Sequence, residues 1–532
     1  MIKANVLKIV AHNTSKTFMS TNVENTSLEK KREYYRNLNA LDTTDAKPRG
    51  WDKAKPFESI PGARCFPVIG NLWRLWMPLF RGKDIVAVHK ELCAEYGNIL
   101  TLKGILGSGF KQLVVLYDPK DFETVVKNEG VWPIRKGQPS LEYYRKLRKD
   151  SCPNFGFATL QGEDWFTLRT TANPILLQPK IINEYTEKVD RVTTELVDNM
   201  KYLAERDEAI KTSSDFKNEM DKWALESIGV VALDTHLGCL KRNLELESEA
   251  QKMINSSKQI FELMYKLDVL PSMWKLMNTP TWNKYVEVID FLIQTSAKHV
   301  NRALDNFDKE TDTTKEAGSV LHQIAKKDRN IALSTALDMM LVGVDTTGRI
   351  LSAGLYFLAK NREQQIRLRE EAKRLLKNKN TPVTTKVLAE ATYLKAVVKE
   401  VTRLAPIGVG NLRTTVKNLT LAGYQVPKGT DIMTANLIPC TTDEYFPRAK
   451  EFLPERWLSS HKTANPFAFA PFGLGSRSCL GKRLANLELH IAFLKIIRNF
   501  DLSWPHEDMC FTTTIFYGIG KPLQLHIKAL NQ

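Results

Sequence analysis

The chain has 532 residues, 43% of them hydrophobic and 26% charged, an ordinary globular composition with room for a large buried core. Its net charge of +16 calls for an acidic partner, an anionic membrane surface or nucleic acid, and the last is disfavoured because no aromatic-basic recognition motif accompanies the charge. The seven cysteines (Cys65, Cys93, Cys152, Cys239, Cys440, Cys479 and Cys510) are odd in number, scattered and without a CxxC pair, which excludes a disulfide framework and a zinc site and predicts reduced thiols in an intracellular compartment.

The amino-terminal stretch MIKANVLKIVAHNTSKTFMSTNV carries three lysines and many hydroxyl residues, and its first acidic residue is Glu24. That character suits a mitochondrial transit peptide, so residues 1–45 are expected to be a transit segment and flexible linker, with one folded domain over 46–532. Residues 24–50 are polar and charged, as a linker would be. No segment approaches the ~20 apolar residues of a membrane span. The most apolar stretch, Phe66–Phe80, contains two prolines, a glycine and Arg74, and reads as a loop with an apolar surface. Folding signals begin at IPGARCFPVIGN (Ile60–Asn71).

Helical periodicity covers Lys180–Leu203, Phe216–Leu233, Glu247–Lys266, Thr281–Phe307 and Ala332–Leu376. Short strand-like runs lie toward the ends, at Asn98–Leu106, Lys111–Asp118, Leu419–Gly429 and Pro522–Leu530. The fold class expected is mainly α with a small β portion, in a single domain.

Near the carboxyl end, PFGLGSRSCLGKR (Pro471–Arg483) places Cys479 among glycines and cations, just ahead of a helix whose apolar face is Leu480, Leu484, Leu487, Ile491 and Leu494. A helix amino terminus and nearby cations lower a thiol pKa and favour thiolate. Gly473, Gly475 and Gly481 let backbone approach a flat ligand, and Arg477 can reach a carboxylate. This combination suits axial ligation of haem iron.

Phe472, Gly475, Arg477, Cys479 and Gly481 form F-x-x-G-x-R-x-C-x-G, which resembles the signature of the haem-thiolate monooxygenases, the cytochrome P450 family. Other stretches resemble the family's motifs in the family's order. Glu400 and Arg403 in KEVTRL match E-x-x-R and share a helical face, and Arg456 in FLPERW would join them in a structural trio. Trp165 and Arg169 in WFTLR match W-x-x-x-R; with Arg413 and Arg477 the resemblance makes them contacts to the propionates of heme b. LVGVDTTGR resembles (A/G)-G-x-D-T-T, which implies catalytic roles for Thr346, as a hydrogen-bonding group at the dioxygen site, and Asp345, as a proton relay. Val342 departs from the pattern, standing where the family has Ala or Gly, and would narrow the space over the haem.

Lys395 and Lys399 lie four apart on one helical face, a repulsion that an acidic partner would offset. With Lys482 and Arg483 they match the ferredoxin-docking positions of the family's mitochondrial branch, and two longer stretches, Gly162–Lys180 and Asp221–Leu240, look like arthropod members of it. The resemblance implies the cytochrome P450 fold around one buried haem, an adrenodoxin-like ferredoxin donor, peripheral membrane association on the matrix side of the inner mitochondrial membrane, and insertion of one oxygen atom into a lipophilic substrate, steroid-like or xenobiotic. By the same analogy the substrate regions are the Glu129–Asn154 loop, the helices around Leu233–Met277, the helix near Met339–Thr346, and the Pro406–Leu412 and Thr512–Gly518 turns. Ile407, Val409 and Phe516 are lining candidates there, with Val342. Two other classes compete: a reductase-independent haem-thiolate isomerase or dehydratase, which usually lacks the acid–alcohol pair kept here as Asp345 and Thr346, and a non-enzymatic haem binder, for which that pair and the basic face would have no purpose.

Overall fold

The computed structural model describes residues 28–530 apart from 43–44, 64, 67–69, 72–83, 104–109, 111, 149–155, 211–213, 243, 246, 271, 310–318 and 459–464. Residues 1–27, the larger part of the expected transit segment and linker, and most of the apolar stretch Phe66–Phe80 lie outside the described residues.

In chain order the long helices are α1 (Leu28–Asp42), α2 (Ile85–Tyr96), α3 (Pro119–Lys127), α4 (Pro139–Leu147), α5 (Gly162–Leu176), α6 (Thr186–Ile210), α7 (Lys217–Leu233), α8 (Glu249–Met264), α9 (Pro280–Lys309), α10 (Arg329–Lys360), α11 (Arg362–Leu375), α12 (Thr392–Leu404) and α13 (Lys482–Asn499). Local chemistry sets their limits. Asp328 caps α10 by accepting Ile331 N–H at 3.0 Å. The expected Ala332–Leu376 helix is two, because Asn361 leaves helical geometry (φ −114°, ψ 82°) and its side chain donates to Phe357 O at 2.8 Å. The expected Lys180–Leu203 helix likewise breaks before α6, where Thr186 Oγ1 donates to Asn183 O at 2.7 Å.

Among the described residues the small β portion is one four-stranded sheet and three two-stranded ribbons. The sheet runs β1 (Ile99–Lys103), β2 (Gln112–Leu116), β6 (Asp431–Thr434), β3 (Asn411–Thr414), and β2 and β6 pair in parallel with Leu113 opposite Asp431. Strands β3 and β6, four residues each, are too short to announce themselves by alternation; the sheet orders Arg413 opposite Ile432. The Leu419–Gly429 run is the hairpin β4 (Leu419–Leu421) and β5 (Tyr424–Val426). At the carboxyl end β7 (Phe500–Ser503) pairs β10 (His526–Ala529), and β8 (Phe511–Thr513) pairs β9 (Tyr517–Ile519).

One apolar cluster runs through the helical body, around side chains such as Trp223, Leu341, Val401 and Phe493. Helix α10 lies through it, most extensively against α7, and also against α13. A smaller cluster, with Val114, Leu116, Phe122 and Ile432, backs the sheet. Among the described residues no helix is long and apolar enough to cross a membrane.

Two expectations change. Part of the 24–50 segment is helix α1, not linker: Arg36 forms two hydrogen bonds to Glu163 of α5 (2.8 and 2.9 Å), and the Tyr35 and Phe166 rings lie 4.5 Å apart. The Glu129–Asn154 stretch, expected as a loop, contains α4, started by Pro139 and capped from another element by Asp268, whose carboxylate accepts Ser140 N–H and Oγ–H at 3.0 and 2.7 Å.

Candidate functional site

The Cys479 loop is a closed turn ahead of α13. Cys479 N–H donates to Phe472 O at 2.7 Å and Ser478 N–H to Gly475 O at 3.1 Å. Gly475 has φ +66°, and a Cβ there would collide with the Glu129 carboxylate, which accepts Ser476 N–H at 2.6 Å. Cys479 is accessible, yet burial raises its thiol pKa, so the sulfur faces an interior space. This reverses the expected sign. Donation from Gly481 N–H and the cations Arg169, Arg135 and Lys482 lower the thiol pKa, but desolvation outweighs them; a coordinated metal cation is what would hold the sulfur as thiolate. The other described cysteines are free thiols.

Four arginines converge beside this sulfur from four elements. Arg477 stacks on the Trp165 ring, 3.9 Å from its centroid, and donates to Pro133 O, Leu160 O and Gln161 Oε1 at 2.9, 2.9 and 2.7 Å. Arg413 of β3 donates to Glu129 Oε2 and Leu474 O, both at 2.6 Å. Arg169 of α5 donates to Ser478 O at 2.8 Å, while its Nε is buried with no acceptor among the described residues. The fourth, Arg135, is absent from the sequence-derived set; its N–H and carbonyl are both held by the Gln161 side chain. Burial, then Arg135, Arg413 and Arg169, push Arg477 down to about 8. Burial pushes Arg135 and Arg169 down to about 10, with Arg413 and Arg169 adding to the effect on Arg135. Guanidinium gives up its proton only with great difficulty. The cluster is therefore cationic and short of anion, since Glu129 is already committed to Arg413. A thiol on an interior space beside an excess of guanidinium and an orphaned N–H fits a flat dicarboxylate with a thiolate-seeking metal, as haem is.

On α10 an otherwise buried run is interrupted by half-buried Met339, Val342, Gly343 and Thr346, a single stripe at helical spacing. Thr346 Oγ–H donates to Val342 O at 2.9 Å. Asp345 is 2% exposed and accepts Arg349 Nε–H at 2.6 Å, so the acid is ion-paired one turn along its own helix. Arg349 is a second residue the motif reading left without a role.

Two of the lining candidates are joined to neighbouring elements near α10. Tyr517 N–H donates to Ile407 O at 2.9 Å, the Phe516 and Phe261 rings lie 4.6 Å apart, and Ser257 of α8 donates to Leu341 O at 3.2 Å, which ties these turns to α10 next to Val342. Val409 O instead accepts Leu437 N–H at 3.2 Å.

Glu400 and Arg403 pair as their helical spacing predicts, and Arg456 joins them. Glu400, fully buried, accepts from Arg403 Nε and Nη2 at 2.9 and 2.7 Å and from Arg456 Nε at 3.1 Å. Trp457 Nε1 and Leu453 N–H complete its shell at 2.8 and 2.9 Å. Arg403 also donates to Cys440 O, Ala449 O and Glu451 O, which stitches α12 to the chain approaching the cysteine loop. Among the basic residues, Lys399, Lys482 and Arg483 are exposed. Lys399 lies over the Trp457 ring and Lys482 over the Phe472 ring, at 5.6 and 5.8 Å. Lys395 is half-buried, donates to Ala389 O at 2.7 Å, and lies beside His490 of α13, whose pKa burial, then Lys395, pushes down to about 4.

Comparison with known proteins agrees with this geometry. The family profile described as Cytochrome P450 matches residues 60–524. The chain is 36% identical to the probable cytochrome P450 12a5, mitochondrial, of Drosophila melanogaster, over 86% of this chain and 88% of that one. It is 34% identical to the probable cytochrome P450 301a1, mitochondrial, of Drosophila melanogaster (89% and 87% covered), and 33% identical to cytochrome P450 CYP12A2 of Musca domestica (91% and 93%).

Proposed function

The chain belongs to the cytochrome P450 family, and from that premise we propose that it is a mitochondrial haem-thiolate monooxygenase that takes electrons from a ferredoxin and inserts one oxygen atom of O₂ into a lipophilic substrate, steroid-like or xenobiotic. The observation that carries the reading is the anion-deficient arginine cluster around a cysteine facing an interior space. Cys479 would hold the iron of heme b, and Arg135, Arg169, Arg413 and Arg477, with Trp165, would hold its propionates. Haem bound through thiolate supplies a centre that favours O–O cleavage. The protein's own part is to orient and protonate: Thr346 presents a hydroxyl on the half-buried stripe of α10, and Asp345, paired with Arg349, lies one residue away. That retained pair favours oxygen activation over reductase-independent isomerisation.

Apolar Val342, Ile407 and Phe516 select a lipophilic substrate. Lys395, Lys399, Lys482 and Arg483 offer an acidic ferredoxin a cationic face on the helices that flank Cys479. Peripheral attachment to the matrix side of the inner membrane is supported by exposed Tyr143, Leu147, Met273, Leu276 and Met277, which cluster around a stacked Trp274–Trp282 pair next to Lys146 and Arg148.

The test is spectroscopic. Purified protein, reduced and exposed to carbon monoxide, should show the long-wavelength Soret band of sulfur ligation, and Cys479→Ser should lose it while retaining helical circular dichroism. No such band in the wild type overturns the reading. A type I spectral-shift screen against steroid and xenobiotic panels would then identify the ligand class.

A further inference from the structure

Two buried ion pairs face each other where α7 packs on α10. On α7, Lys217 Nζ donates to Asp221 Oδ2 at 2.6 Å; on α10, Arg349 Nε donates to Asp345 Oδ2 at 2.6 Å. All four side chains are buried. Asp221 Oδ1 is buried without a hydrogen-bond partner among the described residues. Its place is a notch in α10: a Cβ on Gly348 would collide with it, so glycine is what admits the carboxylate against the helix. Gly348 follows Asp345 by three residues, which puts the notch and Asp345 on one face of α10, with about 5–6 Å between Cβ positions. The acid–alcohol pair thus has an acidic neighbour from another helix.

A buried carboxylate oxygen with no donor is expensive unless it carries a proton. Burial first, and then repulsion from Asp345, raise the proton affinity of Asp221, while Lys217 on α7 and Lys258 on α8 oppose the rise. Lys217, Asp345 and Lys258 are the charged groups that act on it, and Arg349 reaches it only through Asp345. Half-buried Lys258 marks the solvent side.

We propose that Asp221 is the outer carboxyl of the proton path serving Asp345 and Thr346, admitted to α10 by Gly348 and held by Lys217. A proton leaves Asp221 Oδ1 for the Asp345 carboxylate; Asp221, now anionic and paired with Lys217, regains a proton from solvent past Lys258, and Asp345 passes its proton on toward the Thr346 hydroxyl. Asp221 acts through Asp345, as a positioning residue. The inference rests on the monooxygenase reading, whose electrons and O₂ the path would serve.

The test uses the haem-loaded enzyme with its ferredoxin system and no added substrate, where consumed O₂ partitions between peroxide and water. Asp221→Asn should lower the water share by roughly tenfold, since positioned proton transfer is worth that much or more, and Asp221→Glu should restore it. Independently of turnover, infrared spectra of the reduced carbon monoxide complex should show a carboxylic-acid band that persists above the ordinary aspartate range and that Asp221→Asn deletes. Lys217→Gln should keep that band to higher pH, which provides a second arm if Asp221→Asn does not fold. An unchanged partition and band in Asp221→Asn, or lowered thermal stability as its only effect, overturns the proposal. An absent sulfur-ligation band in the wild type would overturn the monooxygenase reading instead, and the infrared titration would still report on Asp221.

Discussion

Glu400→Gln offers the most stringent test of the architecture around the cysteine loop. The Glu400 carboxylate takes five hydrogen bonds, from Arg403 Nε and Nη2, Arg456 Nε, Leu453 N–H and Trp457 Nε1, and both it and Arg403 are fully buried. Glutamine keeps the volume but replaces one acceptor oxygen with an NH₂ that faces donors, so at least two of the five lose their acceptor. Hydrogen bonds to a charged group are worth about 1.5–3 kcal/mol each. Breaking a buried pair while its partner stays charged costs about 3–5 kcal/mol. The first route gives roughly 3–6 kcal/mol and the second roughly 3–5 kcal/mol, a large share of the ~5–15 kcal/mol that stabilises a domain. With an unfolding entropy of about 2.1 cal/mol/K per residue, roughly 470 residues give about 1 kcal/mol/K, so the melting temperature should fall by about 3–5 °C. The assay is thermal denaturation of the haem-loaded protein by circular dichroism, with the carbon monoxide band recorded alongside. A variant that melts within about 1 °C of wild type with its full band would refute the claim that this trio braces the haem-binding core.

Three further outcomes are expected. Thr346→Ala should continue to consume NADPH but release peroxide in place of product; measured coupling equal to wild type would remove the hydroxyl from the mechanism. Reversing charge at Lys395 and Lys399 should weaken ferredoxin binding roughly tenfold at low ionic strength and hardly at all near 1 M salt, where the Debye length is about 3 Å; salt-independent loss would point to misfolding. Glu488 of α13 is buried, its Oε1 has no partner among the described residues, and burial raises its pKa from 4.5 to about 8. Between those values the folded protein keeps a proton that the unfolded chain has lost, so stability falls as pH rises through that window. Glu488→Gln should flatten the dependence and be the more stable protein near pH 8, as read from denaturant midpoints at pH 6 and 8; an identical slope in the variant would show that Glu488 is already ionised.

How much of the site was legible depended on how local its chemistry is. The cysteine loop, the Glu400–Arg403 pair and the Asp345–Thr346 step are written in contiguous residues, because turn geometry and the period of a helix fix which side chains lie together within a few positions. Arg456, 56 residues after Glu400, and Arg413 were reached only through resemblance to a family. Arg135 was missed because nothing next to it distinguishes it from a surface cation; it becomes part of the cluster only when Gln161 clasps its backbone beside Arg477. The partner of the Cys479 loop, Glu129, is 347 positions from Ser476. The sign of the Cys479 shift was misjudged for the same reason: helix end and cations are visible in the sequence, while the desolvation that outweighs them comes from the whole surrounding fold. Arg349 was in plain view, four residues after Asp345, yet whether it turns to that acid or to solvent is decided by burial under β9. The sequence by itself determined which residues make the loop and the order of the helices; tertiary structure alone decided the sign of the Cys479 shift and which distant charges share one low-dielectric interior, because desolvation and charge balance there depend on distance through space and not along the chain.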